Sequence, residues 1–215
     1  MKKSIQVCAF LLFIILSSGS SAQSYVGVFG GLNSSKLNGD APDKAKYKSL
    51  MGVNAGAYFD LKLSKNIWLS LQPSYSQEGT KISYNVSGKE VPVDSIRIRL
   101  NYFSLPLFLK ISSTNERWYA LAGIETAMLL NSSVYSHDIE QDVDLSVVEW
   151  NLAMHFGAGI RIPVGFPRLI VELRYSQGLV NLTDESIDAS YVPRVKTSGY
   201  KLLVGIEIPL NKSKK

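Results

Sequence analysis

From Trp150 to Ile162 every second residue is apolar: Trp150, Leu152, Met154, Phe156, Ala158, Ile160 and Ile162. The other parity carries Asn151, Ala153, His155, Gly157, Gly159 and Arg161. Alternation with period two marks a strand whose two faces meet different surroundings. It recurs over 201–210, 169–176 and 118–131, and through 51–61 and 67–78. The segment 96–111 is less regular. Arg97, Arg99 and Asn101 share one parity while Tyr102, Ser104 and Lys110 share the other, which predicts a phase-changing bulge between Leu100 and Phe103. Residues 25–32 read as a strand with no clear facing. Eight strands are predicted, near 24–32, 50–61, 66–78, 94–111, 117–131, 148–162, 168–179 and 198–210. Pro73 and Pro106 fall inside strands, where a missing N–H is unwelcome, and predict local bulges.

The apolar faces of the regular strands carry no charge. The opposite faces carry Asp60, Glu78, Lys110, Glu125, Arg161, Glu172, Arg174, Lys201 and Glu207. Two closed barrels fit that segregation. A soluble ligand carrier turns its apolar face inward. An outer-membrane barrel turns it to lipid, where a mid-bilayer Lys or Arg costs about 2–4 kcal/mol. The connections separate the two. Those at 62–65, 112–116 and 163–167 are short, and those centred on 33–49, 79–93, 132–147 and 180–197 are long, in strict alternation. An up-and-down meander puts alternate connections at opposite ends, so one end is tight and the other elaborate. That is the pattern of periplasmic turns and external loops. Phe59, Trp118 and Phe166 fall near the tight end and Tyr75, Trp150, Tyr175 and Tyr200 near the other, as two interfacial girdles would; Trp68 points to the polar side and is an exception. The predicted fold is an all-β, eight-stranded antiparallel up-and-down transmembrane barrel.

The first 22 residues read differently. Lys2 and Lys3 precede the apolar run Val7–Leu16 (VCAFLLFIIL), and small residues lead to Ala22-Gln23. That three-part layout predicts a signal peptide over 1–22 and a single barrel domain over 23–215. The run is too short to span a bilayer as a helix. Composition then narrows the partners. The 215 residues are 46% hydrophobic and 19% charged, with a formal charge of +5. Lys2 and Lys3 leave with the signal, and Lys212, Lys214 and Lys215 sit in the tail. The remainder is near neutral, so no basic stripe supports nucleic-acid binding. The one cysteine, Cys8, belongs to the signal, which excludes a disulfide framework and a Cys-based zinc site.

The chain resembles the PorT-like outer-membrane β-barrel family of Bacteroidota-type bacteria. The resemblance rests on Ser20-Ser21-Ala22-Gln23, on the opening strand Tyr25 to Asn33 (YVGVFGGLN), and on the Gly-containing strand around Ala122-Gly123. It rests most on Tyr102 to Lys110 (YFSLPLFLK), similar to the family's Tyr-Leu-x-Ile-Pro-Leu-Leu-Leu-Lys strand. The resemblance implies an eight-stranded outer-membrane barrel with no catalytic residues; the founding member is associated with type IX secretion and gliding.

Candidate chemistry is sparse. An eight-stranded lumen is narrow enough to be filled by side chains, so the polar-face charges are expected to pair and close it; a narrow ion path is the functional alternative. His155 faces the lumen by parity with no Ser two positions away on its strand, so a hydrogen-bonded lumen residue is the reading rather than a general base. His137, Asp138, Glu140, Asp142 and Asp144 form an acidic loop without the glycine of a Ca²⁺-binding EF-hand loop. Lys36, Lys44, Lys46 and Lys48, interleaved with Asp40 and Asp43, are placed in the first loop, where they would meet lipopolysaccharide phosphates. The expectation is a non-enzymatic integral outer-membrane protein without catalytic, cofactor or metal residues. Outer-membrane lipid, lipopolysaccharide and periplasmic or surface proteins are its expected partners. The alternatives are a lipid-modifying outer-membrane enzyme and a soluble periplasmic lipid-binding barrel.

Overall fold

The period-two pattern becomes a closed antiparallel wall in the computed structural model, which describes residues 23–39, 45–84, 96–136, 139–142, 148–181 and 195–210. The signal segment 1–22 lies outside the described residues. The strands are β1 (Ser24–Gly39), β2 (Ala45–Lys62), β3 (Ile67–Leu71), β4 (Ser74–Tyr84), β5 (Ile96–Ser112), β6 (Trp118–Ser136), β7 (Ile139–Asp142), β8 (Trp150–Pro163), β9 (Arg168–Gly178) and β10 (Val195–Pro209). β1 pairs with β2 on one side and with β10 on the other, from Tyr25 opposite Pro209 to Gly39 opposite Val195, which closes the ring. β3 and β4 share one place between β2 and β5, and β7 is a short arm on the end of β6. The wall therefore has the eight predicted staves.

The apolar parity is the outer one. On β10, Leu202, Val204, Ile206 and Ile208 are exposed while Lys201, Leu203 and Glu207 are buried. On β8, Trp150, Met154, Phe156 and Ile162 are exposed while Asn151, His155 and Arg161 are buried. An interior that holds the charges and an exterior of Leu, Val, Ile and Phe suits hydrocarbon outside and contradicts a soluble apolar-ligand carrier. From Tyr200 to Ile208 the outer face of β10 runs about 27 Å along the strand, which at a tilt near 40° gives roughly 20 Å of height, close to a bilayer's apolar band. The turns after β2, β5 and β8 are tight and lie at one end, together with Ser24 and Pro209. The other connections leave from the opposite, external end.

Two expectations are corrected. β5 does not change phase: Leu100, Tyr102, Ser104, Phe108 and Lys110 all face inward. The register shift sits across Asn101 and Tyr102, but the extra residue is Leu130 on β6, since Asn101 opposes Asn131 and Tyr102 opposes Leu129. Arg97, Arg99 and Asn101 stay on the outer parity of β5, beyond Phe103, where the wall has left the hydrocarbon. The prolines make no bulge either. Leu71 opposes Leu107 and Ser74 opposes Ser104, so the register passes through Gln72–Pro73 and Pro106 unchanged. Their carbonyls still accept, from Ala57 N–H at 3.0 Å to Pro73 and from Gln72 N–H at 3.1 Å to Pro106. Only the missing donors divide one stave into β3 and β4.

A second shift, on β2 between Ser49 and Asn54, was not read from the sequence. It leaves backbone groups of β4 without a ladder partner, and β1 side chains supply them. Ser35 Oγ accepts from Gly79 N–H at 2.8 Å and donates to its carbonyl at 3.1 Å, and Asn33 Nδ2 donates to the Gln77 carbonyl. The unclear facing of 25–32 has a packing cause. Gly27 faces the lumen, where a Cβ would lie 2.5 Å from the Tyr58 ring. Gly159 likewise admits Tyr119, whose ring would meet an added Cβ at 2.4 Å. Small residues beside large rings fill a narrow lumen, and they erase the polar signal that parity needs.

Candidate functional site

The inward parity of eight strands converges on one charged column. At the tight end, Lys62 pairs with Glu116 at 2.6 Å, and Arg168 reaches Glu116 at 3.6 Å and Glu207 at 2.9 Å. Next inward, Arg161 lies 3.2 Å from Glu207 and 3.3 Å from Asp60, and Lys110 lies 2.9 Å from Asp60. The contacts to Glu207 are close but not aligned as hydrogen bonds, so they are Coulombic in kind. Mid-barrel, Arg174 bonds Glu172 and Gln72, and the Tyr119 hydroxyl donates to Glu172 at 2.6 Å. Toward the external end, Lys201 stands 3.2 Å from Glu78 and 3.4 Å from Glu125, and His155 Nε2 is 3.4 Å from Glu125.

Five inward carboxylates, Asp60, Glu78, Glu125, Glu172 and Glu207, thus meet five cations, Lys110, Arg161, Arg168, Arg174 and Lys201. An unpaired buried charge costs several kcal/mol, and balance is the condition for holding so many in a narrow tube. Aromatic faces supply the remaining solvation. The Arg161 guanidinium lies 4.6 Å from the Tyr119 ring centre, Arg174 lies 4.5 Å from Phe108, and Lys110 lies 5.1 Å from Tyr119. The space among Phe29, Tyr58, Gln72, Lys110, Glu172 and Arg174 is a cavity of about 10 Å³, about one water's worth.

All nine charges placed on the polar face by parity lie in this column. Trp68, the exception among the outer aromatics, is fully buried inside, its indole N–H donating to Ser112 Oγ at 3.2 Å. Sequence reasoning missed Arg168 and Gln72; parity put Tyr119 on the face of Glu125, where it lies, but not its bond to Glu172. Arg168 begins a strand beside a turn, where parity has no run to count. His155 faces the lumen and is buried as expected, edge-on to Phe108 at 5.8 Å, but the expected hydrogen bond is corrected: neither ring nitrogen makes an aligned one, and its polar contact is the 3.4 Å approach to Glu125. The first-loop lysines are corrected: Lys36 is on β1 and Lys46 and Lys48 are on β2, because both strands continue past the membrane. Lys44, Asp40 and Asp43 lie outside the described residues, as do His137, Asp138 and Asp144. Glu140 and Asp142 are on β7.

A closed wall of eight staves with an apolar exterior and a paired-charge interior defines a small outer-membrane β-barrel. The chain belongs to the family described as outer membrane protein beta-barrel domain, whose model matches residues 20–184. The protein is located in the outer membrane. Among solved structures, it is similar to Ail, the attachment invasion locus protein of Yersinia pestis, at 15% identity over 86% of this chain and 99% of that one, with a TM-score of 0.44. It is similar to Neisserial surface protein A at 11% identity, 88% and 99% coverage and a TM-score of 0.45. It is also similar to OprG from Pseudomonas aeruginosa at 11% identity, 90% and 99% coverage and a TM-score of 0.45. A comparison with curated proteins gave no match.

Proposed function

We propose that this protein is a non-enzymatic outer-membrane barrel that does not conduct, and that it acts through its external surface or through periplasmic partners. The observation that carries this reading is the charged column, in which five carboxylates and five cations interlock along a lumen with about 10 Å³ free among its central side chains. Ions cross only where a hydrated path exists, and here the wall's own groups occupy the path. His155 supports the same reading. It is sealed in the lumen against Glu125 and Phe108, out of reach of a lipid substrate. The likeness of Tyr102 to Lys110 to the PorT-like strand supports an accessory role in secretion or gliding. The test is conductance in planar bilayers. The purified protein is expected to give no steps at high salt, and regular single-channel openings would overturn the closed lumen. A deletion strain complemented with H155A is expected to keep the parental lipid profile.

A further inference from the structure

On the outer face of β1 the apolar positions Val26, Val28 and Leu32 give way to Ser34. Ser34 stands in a row across the wall, with Tyr200, Tyr175 and Phe156 on one side and Met51 on the other. A hydroxyl thus interrupts the aromatic belt at the boundary between hydrocarbon and headgroups. The interruption is concave. A cavity of about 290 Å³ is lined by Ser34, Lys36, Ser49, Ser198 and the Tyr175–Tyr200 pair, whose ring centres are 5.2 Å apart. Its cause is local. The ladder between β1 and β2 ends at Ser35 opposite Leu50, and Ser49 pairs with Thr80 of β4 instead, so the wall opens on that side. On the other side Asn38 Nδ2 donates to Ser198 Oγ and ties β1 to β10.

Lys36 is the one charged group among the described residues that line the hollow. It stands two residues beyond Ser34, about 7 Å along the strand, at the height of a lipid phosphate above its acyl chains. Below the hollow, within the hydrocarbon, Gly30 lies on the same outer parity and is exposed. A Cβ added there would meet no atom nearer than 4.0 Å, so nothing within the protein demands a glycine. A glycine inside a strand weakens it and marks a close approach from outside the sheet. Ala55 opposes Gly30 on β2, and the two leave a shallow trough in the wall.

We propose that hollow and trough together hold one anionic glycerophospholipid, its phosphodiester against Lys36 and the Ser34 and Ser49 hydroxyls, and one acyl chain over Gly30. One ammonium matches one phosphodiester charge. A lipid with two or more phosphates would leave charge unmatched in the hollow. A zwitterionic headgroup would bring an ammonium, and no carboxylate is among the described lining residues to receive it. The site lies on the outer wall, so a lipid beside the barrel enters it laterally and the closed lumen plays no part.

The full chain, delipidated in neutral detergent, is titrated with phosphatidylglycerol or phosphatidylethanolamine, and bound lipid is counted by native mass spectrometry. One phosphatidylglycerol per chain is expected, held about tenfold more tightly than phosphatidylethanolamine, the effect of one charge-assisted contact. K36Q is expected to lose that preference and K36R to keep it. G30L fills the trough without a clash in the fold and is expected to weaken both lipids while leaving their ratio unchanged. Heat-modifiable migration checks that each variant is folded. Equal retention of the two lipids by the unaltered chain would overturn the proposal, as would an unaltered preference in folded K36Q. Full competition by soluble glycerol 1-phosphate would refute a lipid ligand, and displacement by equimolar rough-form lipopolysaccharide would refute a glycerophospholipid. Parental affinity in G30L would remove the acyl chain from the trough. If K36Q does not fold, the two lipids on the unaltered chain still decide.

Discussion

Asp60 shows what one residue does inside the column. It is fully buried and within ion-pair reach of both Lys110 and Arg161. Arg161 has a second carboxylate in Glu207, while Asp60 is the carboxylate that Lys110 touches. Asp60→Asn therefore strands an ammonium in the lumen and is expected to cost about 3–5 kcal/mol, the range for breaking a buried pair on one side. The double variant D60N/K110M removes the stranded charge and is expected to recover about 2 kcal/mol or more, because an apolar replacement spares the desolvation. Urea unfolding in lipid vesicles followed by tryptophan fluorescence measures both. A single variant within about 0.5 kcal/mol of the parent would mean water enters and solvates Lys110. The charges were legible because a polar parity beside an unbroken apolar one is a local signal. Their partners were not: Lys110 and Arg161 come from strands far apart in the chain, and parity fixes a face without fixing a register.

Elements obey the same logic one level up. A strand alternates where its faces see lipid and lumen, and loses the pattern where both see water. That is why β1 runs to Gly39 when alternation suggested an end near residue 32, and why β2 begins at Ala45 and not near 50. The irregular parity of 96–101 has the same origin. Arg97 and Arg99 face outward without a bulge on β5, since no hydrocarbon lies there to forbid them. The position of Leu130 as the extra residue was invisible, for an apolar residue on an apolar face leaves no mark. Depth therefore sets tolerance along one strand. Leu107→Arg, at the middle of the outer face of β5, is expected to cost about 2–4 kcal/mol, and Ile111→Arg, beside the tight turn, about 0–1 kcal/mol. Both side chains are exposed, at 39% and 57%, so a water-facing wall predicts two small and similar effects. Equal, small losses in vesicle unfolding would remove lipid from the outer face.

For the whole molecule the decisive contact is the seam between the first and last strands. The alternation of short and long connections gave the meander and its two ends, because loop length is written directly in the chain. Closure is not written there. It follows from the cost of two unpaired edges in hydrocarbon, each a row of N–H and C=O groups without partners. β1 and β10 pair over their full lengths, with Leu32 opposite Leu202 on the outer face. Opposed Cα atoms in an antiparallel pair lie about 4.5–5.5 Å apart, within the range a disulfide bridges. The sole native cysteine, Cys8, falls in the segment predicted to be removed on export. L32C/L202C oxidised in the membrane is thus expected to form an intramolecular bridge that ties most of the chain into a loop. After boiling without reductant the bridged protein should migrate faster than the reduced form, since a looped chain stays more compact in detergent. An open sheet would leave the two edges free, and oxidation would then yield dimers or no bridge. The lumen column depends on this result. Lys201 on β10 reaches Glu78 on β4 only across a wall that has come full circle.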